Sequence, residues 1–187
     1  MLDTTTSTFS TIDISSVVTA DYKYWGAAAV GTSVFFAPNY EGNVGVLDTT
    51  TSSFSKIDAG VTGVGSYCGA AAVGTSVFSA AYSAFNVGVL DTTTSTFSTI
   101  DTTAAGVTAN YPYFGAAAVG TKVFFAPSYG ESNVGMLDTT TSTFSTIDTG
   151  SLTATMHYGG AAAVGTSVFF APYNEDNVGV LDTLWLA

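Results

Sequence analysis

The chain has 187 residues, and its 14 acids stand against three lysines and no arginine, a net charge of −11. Nucleic-acid binding needs a basic footprint that displaces phosphate counterions, and anionic membrane surfaces need the same, so neither partner is expected. Apolar residues make up 47% and charged residues only 9%, which excludes a disordered chain and leaves enough material for the core of one domain.

In chain order, residues 2–13 read LDTTTSTFSTID, a turn-forming Asp-Thr stretch followed by a short strand. A variable connection over 14–23 leads to a small, apolar strand over Tyr24–Val30. Gly31-Thr32 is a Gly-X pair suited to a two-residue hairpin of type II′. The apolar run Ser33–Ala37 is the second strand, and Pro38, which has no ladder donor, ends it. Asn39–Gly42 is a loop, Asn43–Leu47 a third strand, Asp48–Ser52 a turn and Ser53–Asp58 a fourth strand.

The cycle then restarts. The GAAAVG core begins at Gly26, Gly69, Gly115 and Gly160, at steps of 43, 46 and 45 residues. NVG follows at Asn43, Asn86, Asn133 and Asn177, and LDT stands at Leu2, Leu47, Leu90, Leu137 and Leu181. A period of this size is a repeat architecture. The units are 14–58, 59–101, 102–148 and 149–187, with 1–13 left over, all in a single domain over 1–187. No segment keeps a helical period, so each unit predicts a four-stranded antiparallel meander, and such sheets bury both faces only when packed radially. The expected fold is therefore an all-β propeller of four blades. Phe35, Phe78, Phe124 and Phe169 are expected in its core.

The last unit ends in Leu184-Trp185-Leu186-Ala187 where the others continue into a fourth strand, and residues 4–13 carry that strand at the other end. The expectation is a ring closed by pairing of the two terminal segments, which would remove an exposed edge. The small Ala-Ala-Ala-Val inner strands favour a tight four-bladed monomer. A strand-swapped homodimer with eight blades is the alternative. The chain opens inside a repeat, without a basic stretch or an apolar leader, and a piece of a longer array is a further expectation. Each apolar run is interrupted by Gly-Thr and then Pro or Asn, far short of the ~20 residues of a spanning helix.

The stretch Asn177-Val-Gly-Val-Leu-Asp-Thr183, continued in another copy as Thr140-Thr-Ser-Thr-Phe-Ser-Thr-Ile147, resembles YVTN-type propeller repeats. Val168-Phe-Phe-Ala-Pro-Tyr-Asn-Glu-Asp-Asn177 is similar to the loosely kelch-like repeats of algal and microbial propellers. The resemblance covers all four units. It implies a β-propeller and no particular activity.

In such a meander the connections between units and the loops between second and third strands share one rim. In this chain those segments differ from copy to copy, whereas the turns of the other rim barely change. Variation gathered on one rim is what a binding face would look like; loops that drift where strands cannot are the competing reading. Four tyrosines recur there, Tyr24, Tyr67, Tyr113 and Tyr158, each two residues before a core glycine. A ring of aromatics at a channel mouth would stack a sugar or another flat ligand; a fixed tyrosine wedged between blades is the competing reading. Trp25 and Phe114, which vary between copies, are the stronger ligand contacts, and His157 lies beside Tyr158. Tyr40, Tyr129 and Tyr173 extend the same surface.

Signatures of catalysis are missing. His157 is the one histidine, so no multi-histidine zinc site exists within a chain. No nucleophile elbow or phosphate-binding loop is present, and Cys68 is alone, without a disulfide partner in the chain. No cofactor and no metal are expected. The reading is a non-enzymatic binding or interaction module for carbohydrate or protein. The alternatives are a purely structural repeat unit and an enzyme by fold analogy. Nothing in the sequence sets the compartment.

Overall fold

A computed structural model of the chain describes residues 2–3, 8–62, 65–150, 152 and 154–186. The strands fall where the repeat places them. A short hairpin of β1 (Leu2–Asp3) and β2 (Thr8–Phe9) comes first. Blade 1 is β3 (Tyr24–Val30), β4 (Ser33–Pro38), β5 (Asn43–Asp48) and β6 (Ser53–Asp58). Blade 2 is β7 (Tyr67–Val73), β8 (Ser76–Ala81), β9 (Asn86–Asp91) and β10 (Thr96–Asp101). Blade 3 is β11 (Tyr113–Val119), β12 (Lys122–Pro127), β13 (Val134–Asp138) and β14 (Thr143–Ile147). Blade 4 is β15 (Tyr158–Val164), β16 (Ser167–Pro172) and β17 (Gly179–Asp182). Within every blade consecutive strands pair antiparallel. A single 3-10 turn at Thr103–Ala105 is the one helical element among the described residues.

Local chemistry explains the hairpins. Val30 pairs with Ser33, so Gly31-Thr32 is a two-residue loop, and φ at Gly31 is +59°, the value a type II′ turn needs at its first central residue. The other tight turn is closed by its aspartate. Asp48, Asp91 and Asp138 each accept from the backbone N–H of the threonine two residues on, at 2.8, 2.8 and 2.9 Å, and from its hydroxyl at 2.6 Å. The Thr140 hydroxyl and amide, with help from Lys122, hold the Asp138 carboxyl down at about 2.

Each blade has a leading face towards the next blade and a trailing face towards the previous one. Phe35 and Val44 on the leading face of blade 1 pack on Val77 and Leu90 of blade 2. Phe78 and Val87 pack in the same way on Val123, Phe125 and Leu137 of blade 3. Phe124 and Val134 meet Val168 and Phe170 of blade 4. One junction is thus built three times from equivalent positions. Nearest the axis, the inner strands touch through glycine. A Cβ placed on Gly26 would lie 2.4 Å from the Gly69 Cα, one on Gly69 2.8 Å from the Gly115 Cα, and one on Gly115 2.5 Å from the Gly160 Cα. Side chains cannot fit at these backbone contacts.

The four-bladed all-β propeller is as expected, but two details differ. Phe169 is not a core residue; it is 38% exposed, against 6%, 5% and 0% for Phe35, Phe78 and Phe124. The predicted pairing of residues 4–13 with the last blade is also absent from the described residues. β2 pairs with β1, and β17 pairs only with β16. Ile12 and Ile14 lie instead beside the trailing face of blade 1. Residues 4–7 are outside the described residues. The reason for both lies at the axis, where the glycine contacts run from blade 1 to blade 4 and stop. A Cβ on Gly160 would meet only the Ala171 Cβ, at 3.9 Å. The leading face of blade 4 therefore has no blade against it.

Two stability measurements check this account. Phe124→Ala removes a fully buried ring and should cost about 3–5 kcal/mol in urea unfolding. Gly115→Ala should cost about 1–3 kcal/mol, because the obstructing atoms are backbone and the blades must separate to admit the methyl. A Gly115→Ala protein as stable as the parent would mean that the axial contact is not tight.

Candidate functional site

The two kinds of variable loop meet on one rim and are tied to each other. The Asn39, Tyr82, Ser128 and Tyr173 amides donate to the Lys23, Ser66, Pro112 and His157 carbonyls across 3.0, 3.0, 2.8 and 2.9 Å. This places the turn after each second strand beside the segment that enters each blade.

The four repeated tyrosines do not form a ring at the mouth. Tyr67, Tyr113 and Tyr158 are buried and Tyr24 is half-buried. Each ring lies on the trailing face of its own blade, over the glycine of the NVG triplet. A Cβ on Gly45 would meet the Tyr24 Cζ at 2.8 Å, and one on Gly135 the Tyr113 Cζ at 2.8 Å. The outer-strand phenylalanine closes the other side of this seat, as Phe97 does against Tyr67 with ring centres 5.8 Å apart. The Tyr67 hydroxyl donates to Asn86 Oδ1 at 2.5 Å. Burial pushes the Tyr67 phenol up to about 12. It also raises Tyr113 and Tyr158, with Glu131 and Glu175 adding to the rise. These four are blade-packing residues.

The residue after each tyrosine points elsewhere. The ladder register slips between Tyr24 and Ala27 and between Tyr113 and Ala116, a bulge in the inner strand. Bulges re-aim side chains, and here Trp25 and Phe114 turn to the axis. They line a hollow of about 400 Å³ whose floor is the inner strands of all four blades, from Gly26-Ala27 to Gly160-Ala161. Trp25 is 37% exposed, and its ring centre is 5.6 Å from that of Phe114. In blade 2 the same position is Cys68, which is fully buried, and burial pushes its thiol well above the ordinary value. In blade 4 it is Gly159.

Two further aromatics join them. Tyr82 is 5.7 Å from Trp25 and 5.8 Å from Phe114, and Tyr111 is 4.5 Å from Tyr82. Tyr129 continues from Tyr111 at 6.5 Å, and Tyr22 pairs with Tyr40 at 5.4 Å. Tyr82 and Tyr111 sit in loops whose sequence shows only that they vary. Tyr111 adopts a φ of +59°, and that bend carries its ring onto Tyr82, which no spacing rule reveals. Tyr173 covers Gly159 in blade 4.

The remaining candidates serve the loops. His157 is buried, with Nδ1 2.6 Å from Glu175 Oε1, and the same oxygen accepts from the Ala154 amide at 3.2 Å. His157 therefore ties its loop together and does not face the hollow. Glu41 accepts from Asn43 and Lys56, and Glu131 from the Asn133 amide. Among the described residues no three His, Cys, Asp or Glu converge as metal ligands would.

The tyrosine burial has a pH signature. The folded-state phenols are raised above their ordinary value of 10.0, so the folded chain holds protons that the unfolded chain has released. This stabilisation is complete below pH 10 and is lost as pH climbs through about 12. Thermal melting followed by circular dichroism should show a midpoint that begins to fall near pH 9, where the Cys68 thiol of the unfolded chain ionises, and falls more steeply above about pH 10 as the tyrosines join it.

No family model and no curated protein sequence matches the chain. Solved structures do. A nidogen/laminin complex aligns with TM-score 0.64 at 10% identity, over 84% of this chain and 58% of that one. Virginiamycin B lyase from Staphylococcus aureus aligns with TM-score 0.65 at 13% identity, over 80% of this chain and 48% of that one. The computationally designed Ika4 protein aligns with TM-score 0.63 at 12% identity, over 89% of this chain and 94% of that one. The chain thus spans about half the length of the first two. At these identities the likeness concerns the fold alone, and with the blade geometry above it makes this chain a β-propeller of four blades.

Proposed function

We propose that this protein is a non-enzymatic binding module that takes a carbohydrate on its variable rim. The observation that carries this reading is the unbroken set of rings Trp25, Phe114, Tyr82, Tyr111 and Tyr129, each 4.5 to 6.5 Å from the next, beside the axial hollow. Flat apolar ring faces match the C–H faces of a sugar, and tyrosine hydroxyls at their edges supply donors and acceptors. The net charge of −11 repels anions at long range, so the class of ligand is neutral glycans. The YVTN-type character of the repeats belongs to this same reading. An enzymatic reading draws only on the name of a lyase with a similar fold.

Trp25 and Trp185 are the only tryptophans, so in a Trp185→Phe background the emission reports on Trp25 alone. Titration with neutral glycans chosen from an array should shift that emission. Phe114→Ala should weaken binding about tenfold, ~1.4 kcal/mol, for the loss of one stacked ring. Trp25 is over a third exposed, so Trp25→Ala should fold normally and abolish the tightest binding. An array without any hit, or wild-type affinity in Trp25→Ala, would sink the proposal.

A further inference from the structure

The blade-to-blade junction occurs three times inside the chain, and its two halves are left over at the ends. The free trailing face is on blade 1, where Ile12, Tyr24, Val34, Phe36, Leu47 and Phe54 surround an apolar hollow of about 380 Å³. Val34 and Leu47 occupy the places of Val77 and Leu90, which receive Phe35 from the preceding blade, and of Val123 and Leu137, which receive Phe78. The free leading face is on blade 4. Its Phe169 is equivalent to Phe35, Phe78 and Phe124, and around it Val164, Val178 and Val180 are 69%, 56% and 64% exposed. Within this chain the two faces are the two halves of the same junction.

The hairpin at the start of the chain fits the same gap. Leu2 pairs with Phe9 and Asp3 with Thr8, the register of Leu90 with Phe97 and Asp91 with Thr96 in blade 2. β2 is therefore the start of a fourth strand whose blade lies elsewhere. Ile12 and Ile14 already rest beside blade 1 where Ile57 of β6 and Ala59 just beyond it rest beside blade 2. Among the described residues blade 4 has three strands, and no strand pairs with the outer edge of its β17. The tail beyond β17 turns back to blade 3, where Leu186 packs near Phe124, and so leaves that edge clear.

We infer that two copies of this chain close head to tail into an eight-bladed ring. The leading face of blade 4 in each copy seats on the trailing face of blade 1 in the other. Phe169 fills the hollow, and residues 8–13 of one copy complete blade 4 of the other as its fourth strand. Leu181-Asp182 of the second copy replaces Leu2-Asp3 opposite Thr8-Phe9, exchanging like for like. Closed propellers have about four to eight blades, so a unit of four closes alone or as a pair. Closing alone would require blades 1 and 4 to meet, and their facing surfaces are open. A head-to-tail contact forms a ring only if its rotation closes, and repeating the internal junction supplies that rotation. The axial hollow then becomes half of a channel, with Trp25 and Phe114 contributed by both copies.

Light scattering of the purified chain tests this without any ligand, so its outcome is independent of the carbohydrate reading. The expected mass is twice 19.0 kDa, 38.0 kDa. Val180→Asp and Gly160→Ala should each give a folded 19.0 kDa species with unchanged circular dichroism. Val180 is exposed within one chain, and a Cβ on Gly160 meets nothing closer than 3.9 Å there. In the ring the first would be buried, and the second would strike Gly26 of the other copy. Chains carrying Ser10→Cys mixed with chains carrying Val180→Cys should form an interchain disulfide on oxidation. A wild-type mass of 19.0 kDa, an open-ended series of masses above 38.0 kDa, or no disulfide in the mixture would overturn the ring.

Discussion

Everything in this molecule hangs on the contact of bare backbone between Gly26, Gly69, Gly115 and Gly160. At 2.4 to 2.8 Å from each virtual Cβ to the next α-carbon, the inner strands lie closer than any side chain permits. Dispersion and packing energies fall off steeply with separation. That closeness is what lets phenylalanines further out, such as Phe78 and Phe124, reach across and be buried. The inner-strand alanines are the second layer of the same constraint. They are small because the blades diverge from the axis and have little room near it.

The seat of the repeated tyrosine shows how one motif serves another. The glycine of NVG leaves a flat patch on the third strand, and a tyrosine ring from the first strand lies down on it. The outer phenylalanine closes the far side, as Phe144 does beside Tyr113 with ring centres 5.9 Å apart. Three strands of one blade are locked by this arrangement before any neighbour is added. The bulge next to the tyrosine then frees the following residue from the ladder. One position is thereby committed to packing, and the adjacent one is released to the axial mouth, where it is Trp25 in one blade and Phe114 in another. In blades 1 and 3 this slip in register adds a variable position to the rim that the variable loops form.

The same junction geometry governs the ends. Each blade is apolar on both faces, so an array of blades always presents two unmatched faces unless it closes. Blade 1 shields part of its own with Ile12 and Ile14, whereas blade 4 shields little, and its valines stand open. Phe169 has the same chemistry and strand position as three buried phenylalanines and differs from them only in having no neighbour.

The sequence by itself determined the period, the strands, the tight Gly-X turns, the Asp-Thr turns and the rim on which variation collects. All of these are local, set by φ at one glycine, by an aspartate two residues from its donor, or by alternation along a strand. The tertiary structure alone decided the direction of the tyrosines, because a bulge of one residue reverses which face a side chain takes, and composition does not reveal it. It also brought Tyr82 and Tyr111 from separate loops onto Trp25 and Phe114. And it decided that the four blades form an open set rather than a closed ring. The angle between blades is the outcome of packing whole faces of Val, Leu and Phe against each other, and no single repeat contains that information.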